Sequence, residues 1–243
     1  MSREDFRFEI CANGVESCLA AQAAGADRVE LCASIPEGGT TPSYGEIKVA
    51  RRMMDLRAAQ GQPPTALHVI IRPRGGDFVY APAEVERMLL DIEMARNIGA
   101  DGVVFGCLTS EGDVDIPLCQ QLMEAAEGLS VTFHRAFDRC RNPQNALEDI
   151  IELGCHRLLT SGQQPTAEQG IPLLKELNQL ADNRIVILAG CGVNEGNIRR
   201  IHQETGIREF HFSAREQLAS DPDFGTRYIT TERRVRTTIE QLN

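Results

Sequence analysis

Strand-like and helix-like segments alternate along the whole 243-residue chain, and this alternation limits the fold more than any other feature. Eight apolar segments of strand length are each followed by a segment with helical periodicity. Regular alternation of this kind is typical of α/β folds with a parallel sheet. The predicted strands cover residues 6–11, 28–33, 66–72, 102–107, 130–135, 156–161, 184–190 and 209–213. The predicted helices cover 14–25, 43–60, 82–98, 115–127, 142–153, 166–181, 194–205 and roughly 227–241.

A short internal repeat supports a closed barrel. Gly25-Ala26-Asp27 before the second predicted strand resembles Gly99-Ala100-Asp101 before the fourth, and Gly154 and Gly206 hold the same place before the sixth and eighth. Each glycine lies where a helix C-cap is expected. A doubled βα unit used four times predicts a (β/α)8 TIM barrel in one domain over 1–243, since such barrels take about 250 residues. A doubly wound open sheet is the alternative, but no G-x-G-x-x-G motif follows the first strand.

Composition excludes several classes of function. The net charge of -10 and the pI near 5.1 argue against binding to nucleic acid or to anionic lipid. No apolar run approaches the roughly 20 residues that cross a bilayer, and the charged N-terminus lacks a signal-peptide core, so we expect a cytoplasmic protein. None of the eight cysteines forms a Cys-x-x-Cys pair, which argues against a zinc ribbon and predicts free thiols.

Alternation along the strands predicts which side chains enter the barrel. Apolar residues of one parity suit the side that faces the helices: Phe8, Ile10, Val29, Leu31, Val69, Ile71, Val131, Phe133, Phe210 and Phe212. Polar residues of the other parity then point inward: Glu9, Cys11, Glu30, Cys32, Arg72, Thr132, His134, Ser161, His211 and Ser213. Burying these groups costs free energy unless they pair with each other or with a ligand. The alternatives are a self-satisfied network of Glu–Arg and Glu–His pairs, or a functional site.

Two strands repeat a cysteine pattern. Glu9-Ile10-Cys11 and Glu30-Leu31-Cys32 lie on the first and second predicted strands. Adjacent strands lie about 4.8 Å apart, so matching registers would bring the thiols of Cys11 and Cys32 to one metal ion. Thiolates favour soft ions such as Cu(I), or zinc. The alternative is a pair of small, buried, inert cysteines.

An arginine-rich segment follows the third predicted strand, and a related one follows the fifth. Pro73 ends the third strand, and Arg72, Arg74 and Arg135 carry guanidinium groups that suit carboxylate or phosphate. Asp77 or Asp138 would orient these arginines. Ligands of α/β folds bind at this carboxyl end of the strands, so we predict an anion site there.

Further polar groups extend the predicted site. His134 with Glu9 or Glu30 would form a general acid–base pair. The turn that contains Gly190 and Gly192 opens a predicted helix and would hold an anion on its backbone N–H groups. Ser161 and Ser213 would add hydroxyl ligands. An ordinary tight connection between strand and helix is the alternative for the glycine turn.

The chain resembles the CutC family, which is named for copper homeostasis. The resemblance implies a TIM barrel, a cytosolic location, self-association as a dimer or tetramer, and Cu(I) binding through Cys11 and Cys32. Family members usually carry a longer segment after the eighth strand, and the stretch between 215 and 226 is short here. The matching segments are Glu-Ile-Cys at 9–11, Gly-Ala-Asp-Arg-Val-Glu-Leu-Cys at 25–32, Glu-Gly-Gly-Thr-Thr-Pro-Ser at 37–43, Ile-Arg-Pro-Arg-Gly-Gly-Asp-Phe at 71–78, Val-Thr-Phe-His-Arg-Ala-Phe-Asp at 131–138 and Leu-Thr-Ser-Gly at 159–162.

Three functions follow from these patterns. The first is a copper-handling protein with a Cu(I) ion on Cys11 and Cys32. The second is an enzyme that acts on a small anionic metabolite by acid–base chemistry at the carboxyl ends of the strands. The third is a structural or partner-binding barrel, which explains the fold but not the inward arginines and histidines.

Overall fold

A computed structural model describes residues 3–221 and 225–242, and eight parallel strands in it close into a barrel. Each strand pairs with the next in the chain, and the last pairs with the first, through Phe8 beside Phe210. The predicted (β/α)8 fold is therefore confirmed. The strands are β1 Arg7–Ala12, β2 Arg28–Leu31, β3 Ala66–Ile70, β4 Gly102–Phe105, β5 Ser130–Phe133, β6 Arg157–Thr160, β7 Val186–Gly190 and β8 Glu209–Phe212.

Eight helices alternate with the strands. Three begin four or five residues later than predicted: at Ile171 instead of 166, at Ile198 instead of 194, and at Glu232 instead of roughly 227. Gly170 packs against Ser161, where an added Cβ would meet the Ser161 carbonyl, so this approach holds the preceding turn. The helices are α1 Val15–Ala23, α2 Tyr44–Ala59, α3 Pro82–Ile98, α4 Ile116–Ala125, α5 Pro143–Glu152, α6 Ile171–Ala181, α7 Ile198–Thr205 and α8 Glu232–Ile239. No helix of the described residues is long and apolar enough to cross a membrane.

The main hydrophobic core contains strand side chains of one parity together with helix residues such as Met54 and Met88. Full burial of a side chain of this kind contributes about 1.5–3 kcal/mol. The predicted parity places all ten of its outward strand residues in this core: Phe8, Ile10, Val29, Leu31, Val69, Ile71, Val131, Phe133, Phe210 and Phe212.

A charged network fills the amino-terminal end of the barrel interior. Arg28 on β2 is bonded to Glu9 on β1, and its Nη2 donates to Glu209 on β8 at 2.8 Å. Arg157 on β6 donates to the same Glu209 carboxylate at 3.2 Å and to Ser130 at 2.6 Å. These groups pair with one another, so a network of Glu–Arg pairs accounts for most of this end of the barrel, although the buried Glu9 Oε1 has no hydrogen-bond partner in the described part of the chain.

A hairpin follows β8. Strands β9 Arg215–Asp221 and β10 Gly225–Thr230 pair antiparallel, and Asn13 Nδ2 donates to the Tyr228 carbonyl at 2.7 Å. The predicted last helix, roughly 227–241, was therefore wrong at its start, because residues 227–230 belong to β10. β-branched and aromatic residues from Thr226 to Thr230 favour an extended chain there.

Candidate functional site at the mouth of the barrel

A cavity of about 460 Å³ lies at the carboxyl ends of the strands. Its floor includes residues from β1, β2, β3 and β8, and its walls are the segments that follow β2, β3, β5, β7 and β8. This volume falls within the roughly 300–1,000 Å³ of small-molecule sites. Many of the predicted site residues line it: Cys11, Glu30, Cys32, Arg72, His134, Arg135, Asp138, Gly192 and Ser213.

Cys11, Glu30 and His211 meet on the cavity floor. The register places Cys11 on β1 beside Glu30 on β2, and Glu9 beside His211 on β8. His211 Nε2 donates to Glu30 Oε2 at 2.8 Å. One ligand atom from each of the three side chains lies within 4.8 Å of the other two. A thiol, an imidazole and a carboxyl group are thus in mutual contact.

Charge on these groups follows from their hydrogen bonds. A hydrogen bond from Cys32 lowers the pKa of the Cys11 thiol to about 6, helped by one from His211 and opposed by burial. Burial favours a neutral His211, but hydrogen bonds with Cys11 and Glu30 raise its pKa well above the ordinary value. At neutral pH the arrangement is therefore a thiolate beside an imidazolium.

Cys32 lies two residues beyond Glu30, the register partner of Cys11, and directly after the end of β2. Its backbone N–H donates to the Ala12 carbonyl at 2.9 Å, and its thiol donates to the Glu30 carbonyl at 3.6 Å. The hydrogen bond to Cys11, followed by burial, raises the pKa of Cys32. The two cysteines are in contact, but only Cys11 belongs to the compact group with Glu30 and His211.

His134 is buried and neutral. Its Nδ1 accepts from the Ala136 N–H at 3.2 Å, so the ring proton is on Nε2, which has no hydrogen-bond partner in the described part of the chain. Burial, together with the nearby Arg72 guanidinium, lowers the pKa of His134 to about 3. The structure does not form the predicted pair of His134 with Glu9 or Glu30, because Glu9 contacts Arg28 and Glu30 contacts His211.

Arg72 holds the cavity wall together. Its guanidinium donates to the carbonyls of Glu37, Gly39 and Gly76 at 2.8–3.0 Å and stacks 4.8 Å above the Phe78 ring. The loops after β2 and β3 are joined by these bonds. Both terminal nitrogens of the Arg72 guanidinium thus already donate to backbone carbonyls of the protein.

Arg74 and Asp77 lie outside the cavity lining. Arg74 Nε donates to Glu84 at 2.6 Å, and its Nη2 donates to Asp77 at 2.9 Å. These bonds fix the start of α3 on the protein surface. The structure does not bring either residue to the other predicted anion ligands.

Asp138 organises the wall after β5. Its carboxylate accepts from the Thr160 hydroxyl at 2.6 Å and from the Ser161 hydroxyl at 2.9 Å. Arg135 donates from Nε to Asp138 at 2.7 Å and from Nη2 to Ser161 at 3.2 Å. Asp138 therefore forms an ion pair with Arg135, and its role in orienting that arginine for a ligand stays a prediction.

The turn after β7 is packed tightly. A Cβ on Gly190 would lie 2.5 Å from Leu159, and one on Gly192 would lie 3.1 Å from Thr166. Cys191 and Gly192 both have positive φ, 76° and 73°, and α7 begins only at Ile198. Close packing is therefore sufficient to explain why both positions are glycine, as in an ordinary tight connection between strand and helix. At β8, the Ser213 carbonyl accepts from Thr230 Oγ1 at 2.9 Å.

The site predicted from sequence left out one histidine and two arginines. His211, which contacts Cys11, was assigned to the interior but given no role. Its parity in β8 and the pairing of β8 with β1 were the available signals. Arg28 and Arg139 were not singled out, because strand-end patterns do not show which side chains meet across a barrel.

The fold places the chain among the (β/α)8-barrel proteins. Within that class the chain belongs to the CutC family, whose model matches residues 6–216.

Curated relatives agree with this assignment. A CutC family protein of Bacteroides thetaiotaomicron is 64% identical over 252 residues, which cover 98% of each chain. A CutC family protein of Pasteurella multocida is 45% identical over 226 residues, 93% of this chain and 89% of its own.

Solved structures give the same fold. The crystal structure of CutC from Streptococcus agalactiae, named as a copper homeostasis protein, is 35% identical with a TM-score of 0.80 and covers 86% of this chain and 98% of its own. Thiamine phosphate pyrophosphorylase from Pyrococcus furiosus has a TM-score of 0.62 at 16% identity, covering 99% and 96% of the two chains, and shares the fold alone.

Proposed function

We propose that the barrel mouth is an active site in which Cys11 and His211 transfer protons to and from a small anionic metabolite. The contact of Cys11, His211 and Glu30 on the cavity floor carries this proposal. A thiol activated by an adjacent histidine, with a carboxylate that orients the histidine, is a recurring arrangement in catalysis. The carboxyl ends of barrel strands are where such enzymes place their reacting groups.

Each residue then has a defined role. The Cys11 thiolate takes a proton from a carbon next to a substrate carbonyl, the C–H electron pair forms a C=C bond, and the π electron pair of the carbonyl moves to its oxygen. Protonated His211 gives its proton to that oxygen, so an enol forms. Where the substrate carries a hydroxyl on the carbon that lost the proton, neutral His211 takes the proton of that hydroxyl, whose oxygen becomes the new carbonyl. Cys11 returns its proton to the former carbonyl carbon, which yields the isomer and restores both groups. Glu30 holds the imidazole in place throughout.

Proton exchange with solvent tests this proposal without knowledge of the product. Wild-type protein in D₂O should incorporate deuterium into at least one member of a panel of small 2-oxo and 2-hydroxy carboxylates and their phosphate esters, read by NMR. Cys11→Ser and His211→Gln should reduce the rate at least a hundredfold. Cys140→Ser, which removes a thiol outside the cavity lining, is the matched control. Exchange that is unchanged in Cys11→Ser, or no exchange across the panel, would refute the proposal.

A second candidate is the binding of Cu(I) as cargo. The hydrogen-bonded thiols of Cys11 and Cys32, with His211 beside Cys11, form a soft donor set that fits this ion. The copper homeostasis name of the Streptococcus agalactiae protein supports the same candidate. Against it, His211 must lose a tightly held proton before it can coordinate.

A competition titration of the reduced protein against a Cu(I) chelator tests the second candidate. One-to-one binding that disappears in Cys11→Ser/Cys32→Ser and persists in Cys140→Ser would support it. Equal affinity of the wild type and the double variant would exclude it. Both candidates need reduced thiols, in keeping with the expected cytosolic location, which stays a prediction, as does self-association.

A further inference from the structure

Positive charge surrounds the mouth cavity of this acidic chain. Four arginines line it, Arg72, Arg135, Arg139 and Arg215, with His211 on the floor. The acidic residues of the lining are Glu30, Glu37 and Asp138. The net charge of the whole chain is -10, so this cavity differs in sign from the protein around it. A lined cavity of one sign concentrates ligands of the other.

Most of these charges are already matched. Arg135 is paired with Asp138, His211 with Glu30, and the Arg72 fork donates to backbone carbonyls. Arg139 and Arg215 differ, because neither guanidinium has an ion pair or a hydrogen bond to any residue in 3–221 or 225–242. Two cations at the mouth are thus available to a ligand.

These two arginines lie on different sides of the opening. Arg139 ends the short 3-10 turn after β5, and Arg215 begins β9 directly after β8. Strands β5 and β8 are three positions apart in a ring of eight, so their loops face each other across much of the mouth. The Cys11 group lies below, on the cavity floor.

The hairpin fixes Arg215 in this place. The Arg215 guanidinium lies 5.7 Å from the centre of the Tyr228 ring on β10, and Arg234 donates to the Arg215 carbonyl at 2.7 Å. Arg215 also lines a second cavity of about 890 Å³ beneath the hairpin, which adjoins the mouth through Cys32 and Ser213. A ligand group bound there would stay close to the thiols.

We propose that the mouth selects small dianions, with one anionic group at Arg215 and the other at Arg139. Dicarboxylates and phosphorylated carboxylates share this chemistry. This inference deepens the proposed enzyme, since it names the class of substrate. A monoanion can use only one of the two free guanidinium groups, so charge at both ends distinguishes the preferred ligand.

Calorimetric titration with succinate and 2-phosphoglycolate, beside the monoanions acetate and glycolate, tests this selection. At least one dianion should bind tenfold more tightly than its monoanion partner, and added salt should weaken it. Tighter binding of succinate would indicate a dicarboxylate ligand, and tighter binding of 2-phosphoglycolate would indicate a phosphorylated carboxylate. Arg215→Gln and Arg139→Gln should each raise the Kd of the bound dianion at least tenfold. Arg141→Gln after β5 is the matched control, because Arg141 lines neither the mouth nor the second cavity, and this variant should bind as the wild type does.

No dianion binding, equal binding of monoanions, or wild-type affinity in both mouth variants would overturn the inference. The same titration in Cys11→Ser separates it from the proposed catalysis. Dianion binding that survives while deuterium exchange is absent from wild type would retain the anion site and reject the proton transfer. Deuterium exchange in the wild type, with dianion binding that does not depend on Arg139 or Arg215, would retain the proton transfer and reject the anion site.

Discussion

His211 on β8 donates a hydrogen bond of 2.8 Å to Glu30 on β2 across the barrel interior. The bond fixes the imidazole next to Cys11, whose strand lies between the other two in the barrel. Three neighbouring strands thereby supply one thiol, one imidazole and one carboxyl group to the same point. The charge of each group depends on the others, which makes the arrangement testable by pH.

Cys11 should react as a thiolate at unusually low pH. Its pKa is lowered to about 6, most of all by the hydrogen bond from Cys32 and then by His211, so alkylation by iodoacetamide should reach half its limiting rate near pH 6. Mass spectrometry of the Cys11 peptide at pH 5–9 measures this rate. Cys32→Ala should move the midpoint upward more than His211→Gln does. A wild-type midpoint near 8.5, the ordinary value of a free thiol, would contradict the charge assignment.

Arg28 should be essential to stability because it neutralises Glu9, whose side chain is fully buried. Arg28→Met leaves that carboxylate with only His211, 3.8 Å away, as a cation and also removes a partner of Glu209, and we expect a loss of about 3–5 kcal/mol in the free energy of unfolding. Glu9→Gln/Arg28→Met removes both charges and should recover a large part of the loss. Urea unfolding of the two single variants and the double variant gives the coupling. Strict additivity of the single effects would show that the pair does not act as a unit.

Much of this architecture is readable from the sequence. Alternation in segments such as Phe8-Glu9-Ile10-Cys11 fixes which face of a strand is apolar, and that pattern depends only on neighbouring residues. The glycines before the even-numbered strands mark helix ends for the same local reason; Gly99, for example, is the left-handed C-cap of α3. These local rules suffice for the barrel and for the inward set of polar groups.

The partners within that set depend on stagger between strands, which local pattern does not encode. Cys11 lies beside Glu30 and not beside Cys32 because β2 is displaced by two residues relative to the expected match. His211 contacts Glu30 only because the closed ring brings β8 next to β1. Glu30, one of the two carboxylates predicted to pair with His134, therefore pairs instead with His211, which lies 77 positions after His134 in the chain. The hairpin was missed because the predicted last helix was extended back over residues 227–230, whose β-branched and aromatic side chains favour a strand.

His68 should make the protein less stable in mild acid. Burial lowers its pKa to about 3, although Glu9 opposes this, whereas an unfolded histidine titrates near 6.5. Between these values the unfolded state binds the proton and the folded state does not, so stability falls as the pH decreases. From pH 7 to pH 5 this group should cost about 2 kcal/mol.

Urea unfolding of wild type and His68→Gln at both pH values isolates the contribution of His68. The glutamine variant should lose about 2 kcal/mol less than wild type over this interval. Other groups cancel in the difference, including His134, whose pKa is also about 3. An identical pH dependence in the two proteins would mean that His68 is protonated in the folded state.

Gly102 should tolerate no side chain, because it lets His68 pass across the barrel interior. A Cβ built on Gly102 would lie 2.5 Å from His68 Nε2 and 2.5 Å from the Ser130 carbonyl oxygen. The backbone at Ser130 cannot retreat without breaking the β4–β5 pairing, in which Gly102 is the register partner of Ser130. Gly102→Ala should therefore destabilise the fold by about 1–3 kcal/mol, the usual cost of overpacking a core.

Gly45, near the start of α2, is the matched control for Gly102→Ala. An added Cβ there has only the Ser43 hydroxyl within reach, at 3.9 Å, so the same substitution is free of steric conflict. Because glycine is a poor helix former, Gly45→Ala should raise the free energy of unfolding by up to about 1 kcal/mol. Thermal and urea unfolding of the two variants should thus move in opposite directions from wild type. A neutral Gly102→Ala would mean that His68 leaves its position beside β4 at little cost, and its acid sensitivity should then disappear in that variant.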